Sequence, residues 1–334
     1  MSLSVPVSNR CVELLRCNLV PGAIPFLVFA LTTLLPQPAS GGAWTLEKGR
    51  VWSKLTFMSQ STDQHYDADG KAVEIPLDAR FQSRQVYFSV YYGLTDLVDL
   101  GLQVPYISNK FVDKDEGNDT ATPPPALEPE SGIGDLRGFA KINLLQQAGL
   151  VGTLNLGFKL PVGEYRPVPE ALSITGGQWD FDAVAQLGRS FSPVPAYANL
   201  DLGYRLRGEY KDTDDIDPDR SYTPGAEFVF NLEAGYSPRD RLLVALKYEG
   251  MSGAEYDAVS NPGSPETLSQ SVAYLVPTVL VGLHANLSLE ASARMTVSGS
   301  RYFAGSTYSL GLSYTGNLIE KLIHQGTPPP FSGE

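Results

Sequence analysis

Residues 285–297, ANLSLEASARMTV, decide the fold. Ala285, Leu287, Leu289, Ala291, Ala293, Met295 and Val297 fall on one side. Asn286, Ser288, Glu290, Ser292, Arg294 and Thr296 fall on the other. A period of two is the signature of a β-strand with one apolar and one polar face. A membrane-spanning barrel requires that pattern, because lipid touches one face of each strand and a polar lumen the other.

The rhythm extends in both directions. It predicts strands near residues 51–59, 84–92, 97–108, 134–145, 151–161, 179–191, 196–210, 227–236, 242–251, 271–283 and 306–314, besides the stretch above. The joints alternate in length. Those at 93–96, 146–149, 192–195, 237–240 and 284 are short. Those at 61–80, 110–131, 163–177, 211–225 and 252–267 are long, and 300–305 is intermediate. A soluble sandwich has no reason to sort its joints in this way. The expectation is an all-β, up-and-down antiparallel transmembrane barrel of about 12 strands, with short periplasmic turns and long extracellular loops. Aromatic residues fit two girdles at headgroup level. Tyr92, Phe191, Tyr236 and Tyr314 mark the inner edge; Tyr106, Trp179, Tyr210 and Tyr248 mark the outer.

Composition agrees. The chain has 334 residues and a formal net charge of −12, which argues against nucleic acid as a partner. A mean hydropathy of −0.11 argues against a bundle of membrane helices. The one long apolar run, 24–35, follows Arg10 and Arg16 and precedes Gly41-Gly42-Ala43. A basic head, a short apolar centre and small residues at the end make a secretory signal. The expected organisation is a signal peptide at 1–43, a barrel at 44–316 and a periplasmic tail at 317–334. Cys11 and Cys17 both precede the expected cleavage point, so the mature chain would contain no thiol. The implied location is the outer membrane of a Gram-negative bacterium, with membrane lipid and lipopolysaccharide as surroundings. Nothing in the sequence specifies a protein partner.

Catalytic and metal motifs are weak. His65 lies in a long loop, His284 in a short turn and His324 in the tail, none beside a serine in a triad-like setting. Asp212, Asp214, Asp215, Asp217 and Asp219 lack the central glycine and closing glutamate of a helical calcium loop. Gly132-Ile133-Gly134 opens a strand, not a helix, so it is no phosphate loop. No cofactor, metal or enzymatic activity is expected.

The polar face carries the remaining chemistry. Charges on lipid-facing positions are costly, so the alternation sends Lys54, Asp135, Arg137, Lys141, Lys159, Asp180, Asp182, Asp201, Arg205, Arg207, Glu233, Lys247, Glu249, Glu290 and Arg294 into the lumen. Two readings stand open: a polar pathway whose charges select solutes, or an electrostatically cross-linked filling of a narrow barrel.

Several tracts resemble a known group. They are Tyr91-Tyr92-Gly93-Leu94-Thr95-Asp96 with Val104-Pro105-Tyr106 after it, Ser131-Gly132-Ile133-Gly134-Asp135, and Leu156-Gly157-Phe158-Lys159-Leu160-Pro161-Val162-Gly163. They look like the MetA-pathway of phenol degradation family, and the likeness covers most of the mature chain. The resemblance implies an outer-membrane barrel that takes up aromatic or other hydrophobic compounds, related in architecture to long-chain fatty-acid transporters. Passive uptake of a small solute is the leading expectation. A closed barrel displaying acidic loops is the alternative, and a lipid hydrolase the weakest. Strand one begins a few residues after the expected cleavage, so no N-terminal plug is expected.

Overall fold

The computed structural model describes residues 42–75, 79–113, 130–163, 174–211, 221–261, 264–284 and 286–317. Most of the expected signal, the Pro123–Pro125 run, the acids from Asp212 to Asp219 and the tail beyond Asn317 lie outside the described residues.

Twelve long strands follow one another around a closed antiparallel barrel. They are β1 (Arg50–Thr62), β2 (Ala79–Thr95), β3 (Val98–Asp113), β4 (Leu136–Gln147), β5 (Leu150–Leu160) and β6 (Asp180–Ser190), then β7 (Ala196–Arg207), β8 (Glu227–Arg239), β9 (Leu242–Gly253), β10 (Ser271–His284), β11 (Leu287–Ser300) and β12 (Ser306–Asn317). Each pairs with its sequence neighbours. β1 also pairs with β12, in the register Leu55↔Leu312 and Phe57↔Leu310. That last ladder closes the sheet, so no spanning strand leaves an unpaired edge in hydrocarbon.

Burial inverts the pattern of a soluble protein. Leu55, Phe57, Phe88, Leu100, Leu102, Leu202, Leu246, Leu310 and Leu312 are exposed. Their neighbours on the opposite face, such as Ser83, Asp99, Thr153, Lys159 and Asn199, are buried. Only a lipid exterior makes this arrangement stable, because each exposed leucine would otherwise meet water. Tyr106, Trp179 and Tyr248 stand exposed near the long-loop edge, Phe191 and Tyr236 near the short-turn edge. This is an outer-membrane β-barrel.

The outer strand ends extend beyond the apolar pattern. β2 begins at Ala79 and β3 runs to Asp113, still paired from Ala79↔Asp113 to Thr95↔Val98. Water meets these ends, so Arg84 and Lys110 sit there in exposed positions while the backbone ladder continues. The expected strand at 134–145 is also modified. Glu130–Ile133 forms its own short strand on β3, and regular pairing resumes at Leu136. Gly134 and Asp135 mark the break, where the Gly134 N–H donates to the Pro105 carbonyl at 3.0 Å.

The long joints contain structure of their own. Gln64–Tyr66 pairs with Ala72–Glu74 and with Tyr302–Phe303. This small sheet ties the first and last outer loops together. Phe303 stacks on Phe81 at 4.0 Å, and both rings contact Phe111.

Leu310 is about midway along β12 and 51 % exposed on the lipid face. Leu310→Arg should destabilise the barrel by about 2–4 kcal/mol. The measurement is denaturant unfolding in lipid vesicles. A change below about 1 kcal/mol would contradict the lipid-facing assignment.

Candidate functional site

Every lumen residue predicted from the alternation falls among the described residues. The structure joins eight charged side chains into one chain of ion pairs on the β4–β8 wall. Asp135 meets Lys159 Nζ at 3.1 Å, and Lys159 meets Asp180 at 2.9 Å. Arg207 bridges Asp180 at 3.9 Å and Glu227 at 3.2 Å. Arg205 bridges Glu227 at 2.8 Å and Asp182 at 2.6 Å. Asp182 then meets Arg137 at 3.2 Å. Signs alternate throughout, so neighbouring fields cancel. Cross-strand register builds most of it, since Arg205 lies opposite both Asp182 and Glu227. Lys159, Asp180, Asp182 and Glu227 are buried, where an unpaired charge would be heavily penalised.

Two ion pairs reach across an intervening strand, and each crosses a glycine. Arg137 on β4 reaches Asp182 on β6 over Gly157 of β5, where a Cβ would lie 3.0 Å from Asp182 Oδ2. Lys54 on β1 reaches Glu290 on β11 at 2.7 Å over Gly311 of β12, where a Cβ would lie 2.6 Å from Lys54 Cε. A third pair crosses an aromatic ring. Arg294 on β11 lies over Tyr274 of β10 at 3.8 Å, and its Nε is 2.8 Å from Glu249 on β9. Lys247 meets Glu233 at 3.0 Å, and Tyr197 donates to the same carboxylate. Asp201 instead accepts from the carboxamides of Asn199 at 2.7 Å and Asn231 at 3.0 Å.

β2 and the adjoining part of β3 present an uncharged stretch. Gln103 donates to Ser89 at 3.1 Å, Tyr87 donates to Gln85 at 2.8 Å, and Gln85 donates to Ser83 at 2.8 Å. Lys54 on β1 and Asp99 on β3 border this uncharged stretch, so charge is sparse on β2 while it occurs on both sides of it.

No N-terminal plug is expected from the sequence, yet the segment before β1 does not stay clear of the lumen. Residues 42–48 form a strap against the lumen wall at its short-turn end. Lys141 donates to the Gly42 and Trp44 carbonyls at 2.6 and 2.9 Å. Thr153 donates to the Ala43 carbonyl, and the Ala43 N–H donates to Asn199 Oδ1 at 2.9 Å. The Leu46 N–H donates to both Asp99 oxygens at 3.1 Å. Ala43 is wholly buried, and Trp44 meets Tyr197 edge-on at 5.7 Å. An irregular segment exposes its amides and carbonyls, so it is stable inside a barrel only when the wall supplies partners.

Asp99, Thr153, Asn199 and Glu227 were not singled out from sequence, although all four lie in strands on polar-face positions. The alternation would have found them; their partners on the strap have no periodicity to betray them. His65 lies in the small outer sheet, opposite Val73 and Phe303, and His284 ends β10. Among the described residues no group of three or more histidines and acids is placed to hold a metal ion.

Lys159→Met should leave Asp135 and Asp180 without their shared cation. It should destabilise the barrel by about 3–5 kcal/mol in denaturant unfolding. Retention of wild-type stability would show that the ion-pair chain does not hold this wall together.

A search of curated proteins found no significant match. Among solved structures, the outer membrane channel from Pseudomonas putida F1 superposes with a TM-score of 0.66 at 16% identity, covering 84% of this chain and 99% of that one. The NanC porin superposes more loosely, at 0.46 and 7% identity, over 78% of this chain and 98% of that one. The CymD monoaromatic hydrocarbon channel gives 0.36 and 10%, over 82% and 89%. The first likeness supports the barrel fold; the other two are too loose to bear on function. The family model for the MetA-pathway of phenol degradation matches residues 62–312. That match runs from the end of β1 into β12, and the chain therefore belongs to this family.

Proposed function

We propose that the protein is an outer-membrane channel for passive uptake of small aromatic or otherwise hydrophobic solutes. The observation that carries the reading is the makeup of the lumen surface. Most lumen charges are neutralised in pairs, and β2 with the adjoining part of β3 is built from uncharged hydroxyl, carboxamide and aromatic groups. A solute crossing it would meet few bare charges, so an uncharged molecule with modest polarity would lose little hydration without compensation. The Pseudomonas putida relative of similar architecture is itself described as an outer membrane channel.

The strap adds a constriction to this reading. Its bonds run to β3, β4, β5 and β7, so it would narrow the periplasmic end of the path. These bonds also favour retention of Gly42 and Ala43 in the mature chain. Signal cleavage is accordingly proposed at or before Gly41, upstream of the position expected from the small-residue pattern. Lipopolysaccharide is proposed to contact the outer rim.

A closed structural barrel is the competing reading, and the eight-residue chain of ion pairs favours it, because such a network also cross-links a wall. Conductance in planar bilayers separates the two. Wild-type protein should give small discrete openings. The double variant Lys141→Met, Thr153→Val should loosen the strap and raise conductance several-fold. Silence from both proteins, with the variant shown to be folded, would overturn the channel.

A further inference from the structure

We propose that a cavity in the outer half of the lumen binds a small organic monocarboxylate with an apolar body. The inference rests on the channel reading only for its biological purpose; the site itself is a matter of local geometry. The cavity has a volume of about 220 Å³ and lies between β8, β9, β10 and β11, with Tyr302 of the outer sheet over it.

Arg294 is the recognition group. Its guanidinium carbon lies 3.8 Å from the centre of the Tyr274 ring, and Nε is 2.8 Å from Glu249, an ion-pair contact in which the Nε–H makes no hydrogen bond. Those two contacts hold the group in place without using its Nε–H in a hydrogen bond. The terminal nitrogens have no partner among the described residues. At 37 % the side chain is also the most exposed of the ion-paired cations on the lumen wall. A guanidinium held in place with its terminal N–H groups open matches a carboxylate through two parallel hydrogen bonds. Because these contacts have already ordered it, little side-chain entropy is lost on binding.

The rest of the cavity selects the body of the ligand. Val229, Met251 and Val272 line it together with Tyr274 and Tyr302. Val272 is buried, and Met251 and Tyr302 pack against the cluster that Val272 forms with Tyr274 and Val276. Such a surface suits a ring or a short hydrocarbon chain, and thioether sulfur tolerates varied shapes. The volume is below the roughly 300–1,000 Å³ of sites for drug-sized ligands, which limits the body to a small one. Charge sets the valence. Arg205 also borders the cavity, but Asp182 and Glu227 already neutralise it, so Arg294 is the lining cation left to meet an anion beside Glu249. A cation would sit against Arg294, and a second carboxylate on the ligand would be driven toward Glu249. A monoanion avoids both penalties.

The test uses the full mature chain in detergent, titrated calorimetrically with benzoate, its neutral isostere benzamide and the dianion phthalate. Saturable benzoate binding is expected, with benzamide and phthalate at least tenfold weaker. Arg294→Gln should weaken benzoate at least tenfold and abolish the preference over benzamide. Met251→Trp, which fills the cavity and leaves the guanidinium in place, should weaken benzoate to the same degree. Heat-modifiable electrophoretic mobility establishes that each variant is folded, and an unfolded Arg294 variant leaves the decision to Met251→Trp. No benzoate binding by wild type, equal binding of benzoate and benzamide, or unchanged binding in a folded variant overturns the site. The channel reading fails separately. A protein silent in bilayers that still prefers benzoate keeps the site and loses the channel. A conducting protein without that preference does the reverse.

Discussion

Backbone hydrogen bonding in hydrocarbon is the constraint on which the rest of the structure depends. Each peptide group in the membrane must find a partner within the protein, since no water is present to supply one. A sheet meets that demand only by closing, and the β1–β12 ladder closes this one over Arg50↔Asn317 to Gln60↔Thr307. Closure divides the side chains into two populations by parity alone. Leu55 and Phe57 are committed to lipid, while Lys54 and Thr56 are committed to the interior.

The interior population then faces a problem of its own. A barrel of twelve strands places many charged groups in a confined space of reduced polarity, where each unpaired one is costly. Neighbouring-strand pairs such as Lys247 and Glu233 solve it locally. Pairs between strands two apart need an open passage, and small or flat groups provide it: Gly157 under Arg137, Gly311 under Lys54, and the Tyr274 ring under Arg294. The intervening position is therefore as much a part of each ion pair as the two charges. Arg294 differs from the others in keeping its terminal N–H groups open, which is why its surroundings read as a binding site and not as part of the wall.

The strap illustrates the same economy of polar groups. Asp99, Lys141, Thr153 and Asn199 could have satisfied one another or water. Instead each contributes a bond to the backbone of residues 42–46. Wall and strap satisfy one another, so a change in either is felt in both, and the lower lumen behaves as one hydrogen-bonded unit.

Alternation in the sequence by itself determined the barrel and its strand number. Period two is a local property, and in lipid it has a single structural solution. The family was also legible, in short tracts such as Tyr91–Asp96 and Leu156–Gly163. What only the tertiary structure decided was which charges meet. Arg137 lies opposite Lys159 in register yet pairs with Asp182 a strand further on, and no pattern along the chain encodes that step. The path of residues 42–48 was likewise hidden, because an irregular segment carries no period and its partners are scattered from Asp96 to Asn199. Sequence fixes parity because neighbouring peptide units are covalently constrained. Partners across strands are set by the folded sheet, which joins residues as far apart as Arg137 and Asp182, 45 positions, or Ala43 and Asn199, 156 positions.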